Sequence, residues 1–331
     1  MIYPPFLAPG SPVGVCAPSA GLEESDLPGF ERSLRHLKKR GWTVRETASV
    51  RSGALPSASG PVRAREFNDL ARDRDIRAIL CASGGDFLVE MLPWTDLNAL
   101  REDPKWVQGY SDPTGLLFPL VTKYDVACIY GPNAGGYDME PLHPSLEKSL
   151  DILSGTLPAQ ESFSLYAPLT APRQPDGSYA LQKPVRWHSP AGDLDLRGRL
   201  LGGCLDVIDI LRGTDFIDVP GFVRRYAADG VLWFFDVFAM TAEQVFYSLW
   251  SMNQAGWFDH ARGVLLGRVA FPGGSFLDYP EAVRRALGEE IPCALEGDIG
   301  HVPPKWTLVC GAMGHFTLKN SRARLEMELK P

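Results

Sequence analysis

One serine stands out by its setting. In Gly109-Tyr110-Ser111-Asp112-Pro113-Thr114-Gly115 a strand-like run ends, a serine occupies the sharp turn, and a helix-like run begins. Such a turn lifts a hydroxyl clear of a sheet. The helix start aims backbone N–H groups and a positive partial charge at the same point, which suits the oxyanion of a tetrahedral intermediate. The chemistry implied is acyl transfer, with Ser111 as nucleophile and the Asp112 N–H as an oxyanion donor. The same residues also describe a helix cap, with Ser111 or Asp112 as capping side chain, and the local pattern alone favours the cap.

A second feature, Ser83-Gly84-Gly85-Asp86, follows an apolar run. Paired glycines let backbone approach a ligand closely, so the N–H of Gly84 or Gly85 would complete an oxyanion hole. An ordinary tight turn fits the pattern as well. His36, His143, His188, His260 and His315 show no metal-ligand spacing, and no H-E-x-x-H is present. No metal and no cofactor is therefore expected. Met240, Met252, Trp250 and Trp257 read as core.

The elements that would position these residues alternate. Ser11–Cys16 reads as a strand, Leu27–Arg40 as a helix, and Arg63–Arg72 as a second helix. Ile76–Ala82 is a buried strand running into the diglycine. Lys105–Tyr110 is a strand, Thr114–Lys123 a helix, and Val126–Tyr130 a strand. This βαβα rhythm predicts an α/β fold with a mostly parallel sheet, whose strand-end loops converge on a ligand crevice. Between residues 155 and 190 the periodicity fades, and Pro168–Gly177 reads as loop and turn. The segment is a domain connection, or else a long insertion that contributes to the pocket wall. Beyond it, Thr241–Ala255 predicts a helix capped by Thr241, with Glu243 in its first turn. Gly263–Gly267 and Trp306–Cys310 read as strands, and Phe316–Leu329 as a closing hairpin. The expected division is residues 1–160, a linker over 161–190, and residues 191–331.

A length of 331 residues with 45% hydrophobic content suits two domains with substantial cores. The net charge of −7 argues against nucleic-acid binding. The six cysteines sit mostly in apolar runs and none forms C-x-x-C, so they read as reduced core residues in a cytoplasmic protein. No signal peptide is visible, and no apolar run approaches the roughly 20 residues needed to cross a bilayer. The run Val231-Leu-Trp-Phe-Phe is interrupted by Asp236.

Taken in order, these segments resemble the LD-carboxypeptidase family, which comprises murein tetrapeptide carboxypeptidases and microcin C self-immunity peptidases. The resemblance rests on Leu7–Ser19, on Phe67–Ala71 with Ile76–Leu80 and Gly84-Gly85, on Gly109-Tyr-Ser-Asp112, on Leu201-Gly-Gly203, on Leu211-Arg-Gly-Thr214 and on Gly300-His301. It implies a Rossmann- or flavodoxin-like first domain carrying the nucleophile Ser111. A smaller α/β domain would carry an acid and the histidine His301. The family's acid is usually Glu at the end of an apolar strand, and here Leu232-Trp-Phe-Phe-Asp236 places Asp there. Asp is one methylene shorter, so the backbone must come closer or His301 must shift. Ser83 stands where Arg is common, and Cys204 where Asn is usual.

The resemblance implies hydrolysis of an amide bond by a Ser111–Asp236–His301 triad. The foremost substrate is a small peptide with the L,D-peptide bond of murein. The alternative is an amide linking a peptide or amino acid to a nucleotide. It also implies a homodimer. Left to themselves, Asp236 reads as a structural hydrogen-bond acceptor and His301 as a solvated loop residue. The Asp236 replacement keeps a non-catalytic peptide-binding relative open. An α/β-hydrolase esterase is disfavoured because Pro113 occupies the last position of the G-x-S-x-G elbow. A histidine base ordinarily titrates near pH 6.5, so activity should fall as pH drops through about 7 to 6. A flat profile of kcat/KM over that range would count against the histidine.

Overall fold

Short apolar runs become parallel strands here because both faces are covered. The computed structural model of the chain describes residues 1–174, 176–274 and 276–331. Pro175, within the loop expected over residues 168–177, lies outside the described residues. The first five strands are β1 (Pro12–Cys16), β2 (Thr43–Glu46), β3 (Ala78–Cys81), β4 (Trp106–Gly109) and β5 (Cys128–Tyr130). After β6 (Gln160–Glu161), the pair β7 (Leu165–Tyr166) and β8 (Lys183–Pro184) forms a small ladder. There follow β9 (Leu194–Cys204), β10 (Val231–Asp236), β11 (Ala261–Gly267) and β12 (Cys293–Gly297). The last are β13 (Leu308–Cys310), β14 (Met313–Lys319) and β15 (Arg322–Glu328).

Two sheets carry the fold. The first has the order β13-β5-β4-β3-β1-β2 and is parallel except for β13. The second has the order β12-β11-β10-β9-β14-β15-β6, with β9 to β12 parallel and the rest antiparallel. The strand expected over Trp306–Cys310 forms as Leu308–Cys310 and joins the first sheet, although its neighbours in sequence build the second. The second helix begins at Gly60 rather than Arg63, because Pro61 is accepted in a first helical turn. The closing hairpin begins at Met313.

The helix after Ser111, Thr114–Thr122, is buried along its whole length. It packs against β5 of the first sheet and β9 of the second. Gly203 makes this approach possible, since a Cβ there would stand 2.6 Å from Thr114 Cγ2. The Cys204 N–H then donates to Thr114 Oγ1 at 3.0 Å. The junction therefore lies at the Ser111 turn. Among the described residues, no helix is long and apolar enough to cross a membrane. All six cysteines are buried and unpaired.

Candidate functional site

Ser111 follows β4 with φ of 69°, in the left-handed region that a non-glycine residue enters at a cost of about 1–3 kcal/mol. The surroundings hold it there. The Ser111 carbonyl accepts from Thr114 N–H at 2.9 Å, and the Tyr110 N–H donates to Asn133 Oδ1 at 3.1 Å. The Asp112 carboxylate accepts from the Ser19 hydroxyl and from the Leu88 N–H. Burial pushes that carboxyl up to about 6, against the pull of Ser19, Leu88 and Arg63. Neither Ser111 nor Asp112 caps the helix with its side chain. The cap reading of this turn therefore gives way.

The Ser111 hydroxyl lies 2.9 Å from His301 Nε2. On the other side of the ring, His301 Nδ1 lies 3.0 Å from Asp236 Oδ1 and 2.8 Å from Oδ2. Asp236 ends β10 and is wholly buried, so its charge needs partners. Tyr130, at the end of β5, donates its hydroxyl to Asp236 Oδ2 at 2.5 Å. The His301 backbone N–H donates to Oδ1 at 3.2 Å. Burial opposes the Asp236 charge, but His301, Tyr130 and Lys305 outweigh it and hold the carboxyl below its usual range. The shorter acid is met by backbone. A Cβ on Gly300 would fall 1.9 Å from Asp236 Oδ1, so only glycine allows this approach, and its φ of 96° suits glycine too.

The diglycine turn closes on the same point. A Cβ on Gly84 would stand 3.2 Å from Ser111 Cβ and 3.4 Å from its Oγ. At Gly85, φ is 138° and a Cβ would meet Ala20 at 3.0 Å. Among the described residues, the N–H groups of Gly84, Gly85 and Asp112 donate to no protein acceptor. We expect Gly84→Ala to displace the Ser111 hydroxyl and lower kcat/KM by about 10- to 100-fold. Steady-state kinetics with a thermal melt to confirm folding will measure it, and unchanged turnover would detach Gly84 from the reaction.

Other contributors escaped sequence reasoning. Tyr130 ends an apolar strand, and its position next to β4 was the available signal. Its phenol is raised well above the usual range by burial and by Asp236, so it stays a donor. Arg268 and Asp298 form a buried ion pair at 2.8 Å. The Arg268 guanidinium also donates to the Val302 and Pro304 carbonyls, which clamps the loop that carries His301. Trp187 Nε1 donates to Asp298 at 2.9 Å, and Tyr166 stacks under Arg268, so residues 161–190 brace the loop from beneath.

Two cavities flank the serine and share Tyr110 and Arg173. One, of about 480 Å³, lies on the Gly84 side, with Asn133, Ser83 and Arg32 in its wall. The other, of about 380 Å³, lies beside His301, with Pro168, Tyr179 and Lys305.

Models of the LD-carboxypeptidase N-terminal and C-terminal domains match residues 13–131 and 197–316. The chain belongs to the LD-carboxypeptidase family. A Vibrio cholerae family member named as a carboxypeptidase is 35% identical over 133 residues, which span 40% of this chain and 40% of its own. The microcin C7 self-immunity protein MccF of Escherichia coli is 26% identical, over 92% of this chain and 90% of its own. Solved structures of LD-carboxypeptidase relatives share the two-domain fold. MccF in complex with aspartyl sulfamoyl adenosine has a TM-score of 0.81 at 22% identity, covering 99% of each chain. A muramoyltetrapeptide carboxypeptidase from Oxalobacter formigenes has a TM-score of 0.73 at 19% identity, covering 97% of this chain and 99% of its own.

Proposed function

We propose that this protein is a serine carboxypeptidase of the cytoplasm that hydrolyses the L,D-peptide bond of a murein-derived peptide. One observation carries the reading: a single imidazole lies 2.9 Å from the Ser111 hydroxyl through Nε2 and 2.8 Å from Asp236 through Nδ1. His301 accepts the Ser111 proton as the hydroxyl attacks the carbonyl, and later returns it to the leaving amine. Asp236 keeps the proton on Nδ1 and steadies the imidazolium. The Asp112 N–H and one of the diglycine N–H groups receive the oxyanion. The acyl-enzyme is released by water, with His301 again as base.

The test pairs a fluorophosphonate probe with a substrate screen. The probe should label Ser111, and the protein should release the terminal D-amino acid from a murein tetrapeptide, read by mass spectrometry. A folded protein that neither labels nor releases product would be a binding relative rather than an enzyme.

A second substrate class, an amide of an aminoacyl nucleotide, is favoured by one further observation. Phe238, which is 38% exposed, packs on His301 at 4.5 Å between ring centroids and meets the exposed Phe271 edge-on at 5.1 Å. Such an exposed aromatic pair suits stacking of a base. The structurally similar MccF is known in complex with aspartyl sulfamoyl adenosine. The same screen should include an aspartyl sulfamoyl nucleoside.

A further inference from the structure

We propose that Lys305 binds the free carboxylate of the substrate's C-terminal residue and so seats the leaving amino acid in the cavity beside His301. This rests on the carboxypeptidase reading above and names the residue that would restrict the enzyme to chain ends.

The side of the site follows from proton transfer. A general acid must reach the leaving nitrogen within hydrogen-bond distance. His301 lines the cavity that holds Lys305, whereas Gly84 lines the other. The leaving residue therefore enters the Lys305 cavity, and the acyl part lies toward Gly84. In a carboxypeptidase substrate the terminal carboxylate is only two bonds from that nitrogen, N–Cα and Cα–C. A cation that reads it must sit close to the histidine. Lys305 is on the same loop, past Pro303 and Pro304, in the stretch that Arg268 clamps.

Lys305 is also short of a partner. Among the described residues, its ammonium makes no ion pair and no hydrogen bond. It rests on the face of the Tyr110 ring, with Nζ 3.0 Å from the centroid. Arg173, which shares the cavity, is already engaged by Asp138 and packs on Tyr179. A half-buried ammonium on an aromatic face, open to a cavity, is completed by an anion of the substrate.

The charge state supports the role. Burial pushes the ammonium down to about 7, Asp236 opposes that fall and Arg173 adds to it. The phenols beside it stay neutral in that range. Burial lifts the Tyr110 phenol to about 12 and the Tyr179 phenol higher, and Asp138 is paired. Lys305 is thus charged below about pH 7 and progressively neutral above it, and a bound carboxylate would hold it charged. His301 acts on both peptides alike, so its contribution cancels when they are compared.

The experiment measures kcat and KM for a murein tetrapeptide and for its C-terminal amide, with the wild type, Lys305→Gln and Lys305→Arg, between about pH 6 and 8.5. The wild type should prefer the free acid by about 10- to 100-fold, through KM, because a charge-assisted contact is lost in the amide. That preference should shrink as pH rises past 7, vanish in Lys305→Gln and return in Lys305→Arg. A preference retained in Lys305→Gln, or a loss of kcat shared equally by both peptides, overturns the assignment. If both peptides are cleaved equally by the wild type, this inference alone fails. If neither is cleaved, the carboxypeptidase reading fails with it.

Discussion

Ser111→Ala should lower kcat/KM by about 10⁴-fold or more while the protein stays folded. The reason lies in what the substitution keeps. Alanine retains the Cβ that faces Gly84, and it accepts a φ of 69° about as poorly as serine does. The lost hydrogen bond to His301 is half-exposed and contributes about 1 kcal/mol at most. Stability should therefore change little. The chemistry has no substitute, because no second hydroxyl lies within bonding distance of His301 Nε2 among the described residues. Residual turnover would come from the oxyanion N–H groups and substrate binding acting on water. Kinetics on a murein tetrapeptide, with a denaturant melt as control, decides the matter. Turnover within tenfold of the wild type would remove Ser111 from the reaction.

Ser111 was visible as a serine in a strand-to-helix turn, although that pattern alone favoured a cap, and His301 stood out only through the family resemblance. Pro113 starts a helix, the run from Lys105 to Tyr110 is a strand, and a serine between them must turn. The diglycine was legible for the same reason, though the sequence could not separate its two members. The structure separates them sterically, with Gly84 facing Ser111 and Gly85 facing Ala20. Tyr130 and Arg268 were not legible. Each acts on residues more than 30 positions away, across a sheet junction or beneath a loop, and nothing next to them in sequence records the partner. The crossing of β13 to the first sheet was hidden likewise. A three-residue apolar strand carries no sign of which sheet it will join, and only pairing with β5 decides it. Lys305 drew no reading from the sequence, because its lack of a counter-charge is a property of the pocket and not of the chain.

Asp236→Asn should cost about 10⁴-fold in kcat, nearly as much as loss of the serine. The carboxylate is surrounded by donors. Tyr130 O–H points at Oδ2, the His301 backbone N–H faces Oδ1, and Nδ1 lies within reach of both oxygens. An amide brings its own NH₂ group, which must face one of these donors whichever way it is turned. With its oxygen toward Tyr130, the NH₂ opposes the His301 backbone N–H and donates to Nδ1, which drives the imidazole proton to Nε2. A protonated Nε2 donates to Ser111 and cannot take its proton, so the base is lost although every atom remains near its place. With its oxygen toward His301, the NH₂ opposes a buried Tyr130 hydroxyl, which costs about 1–3 kcal/mol of stability. Asp236→Glu, which restores the acid usual in the family, should not recover full activity. The site is wholly buried, and the Gly300 backbone already closes on the shorter side chain. The added methylene must push the His301 loop away, and a misplacement near 1 Å lowers turnover about 100-fold. The two variants therefore separate charge from reach. Near-normal kcat in the Asn variant would mean that Asp236 does not orient the histidine. Full activity in the Glu variant would mean that the loop held by Arg268 yields more readily than its clamp implies.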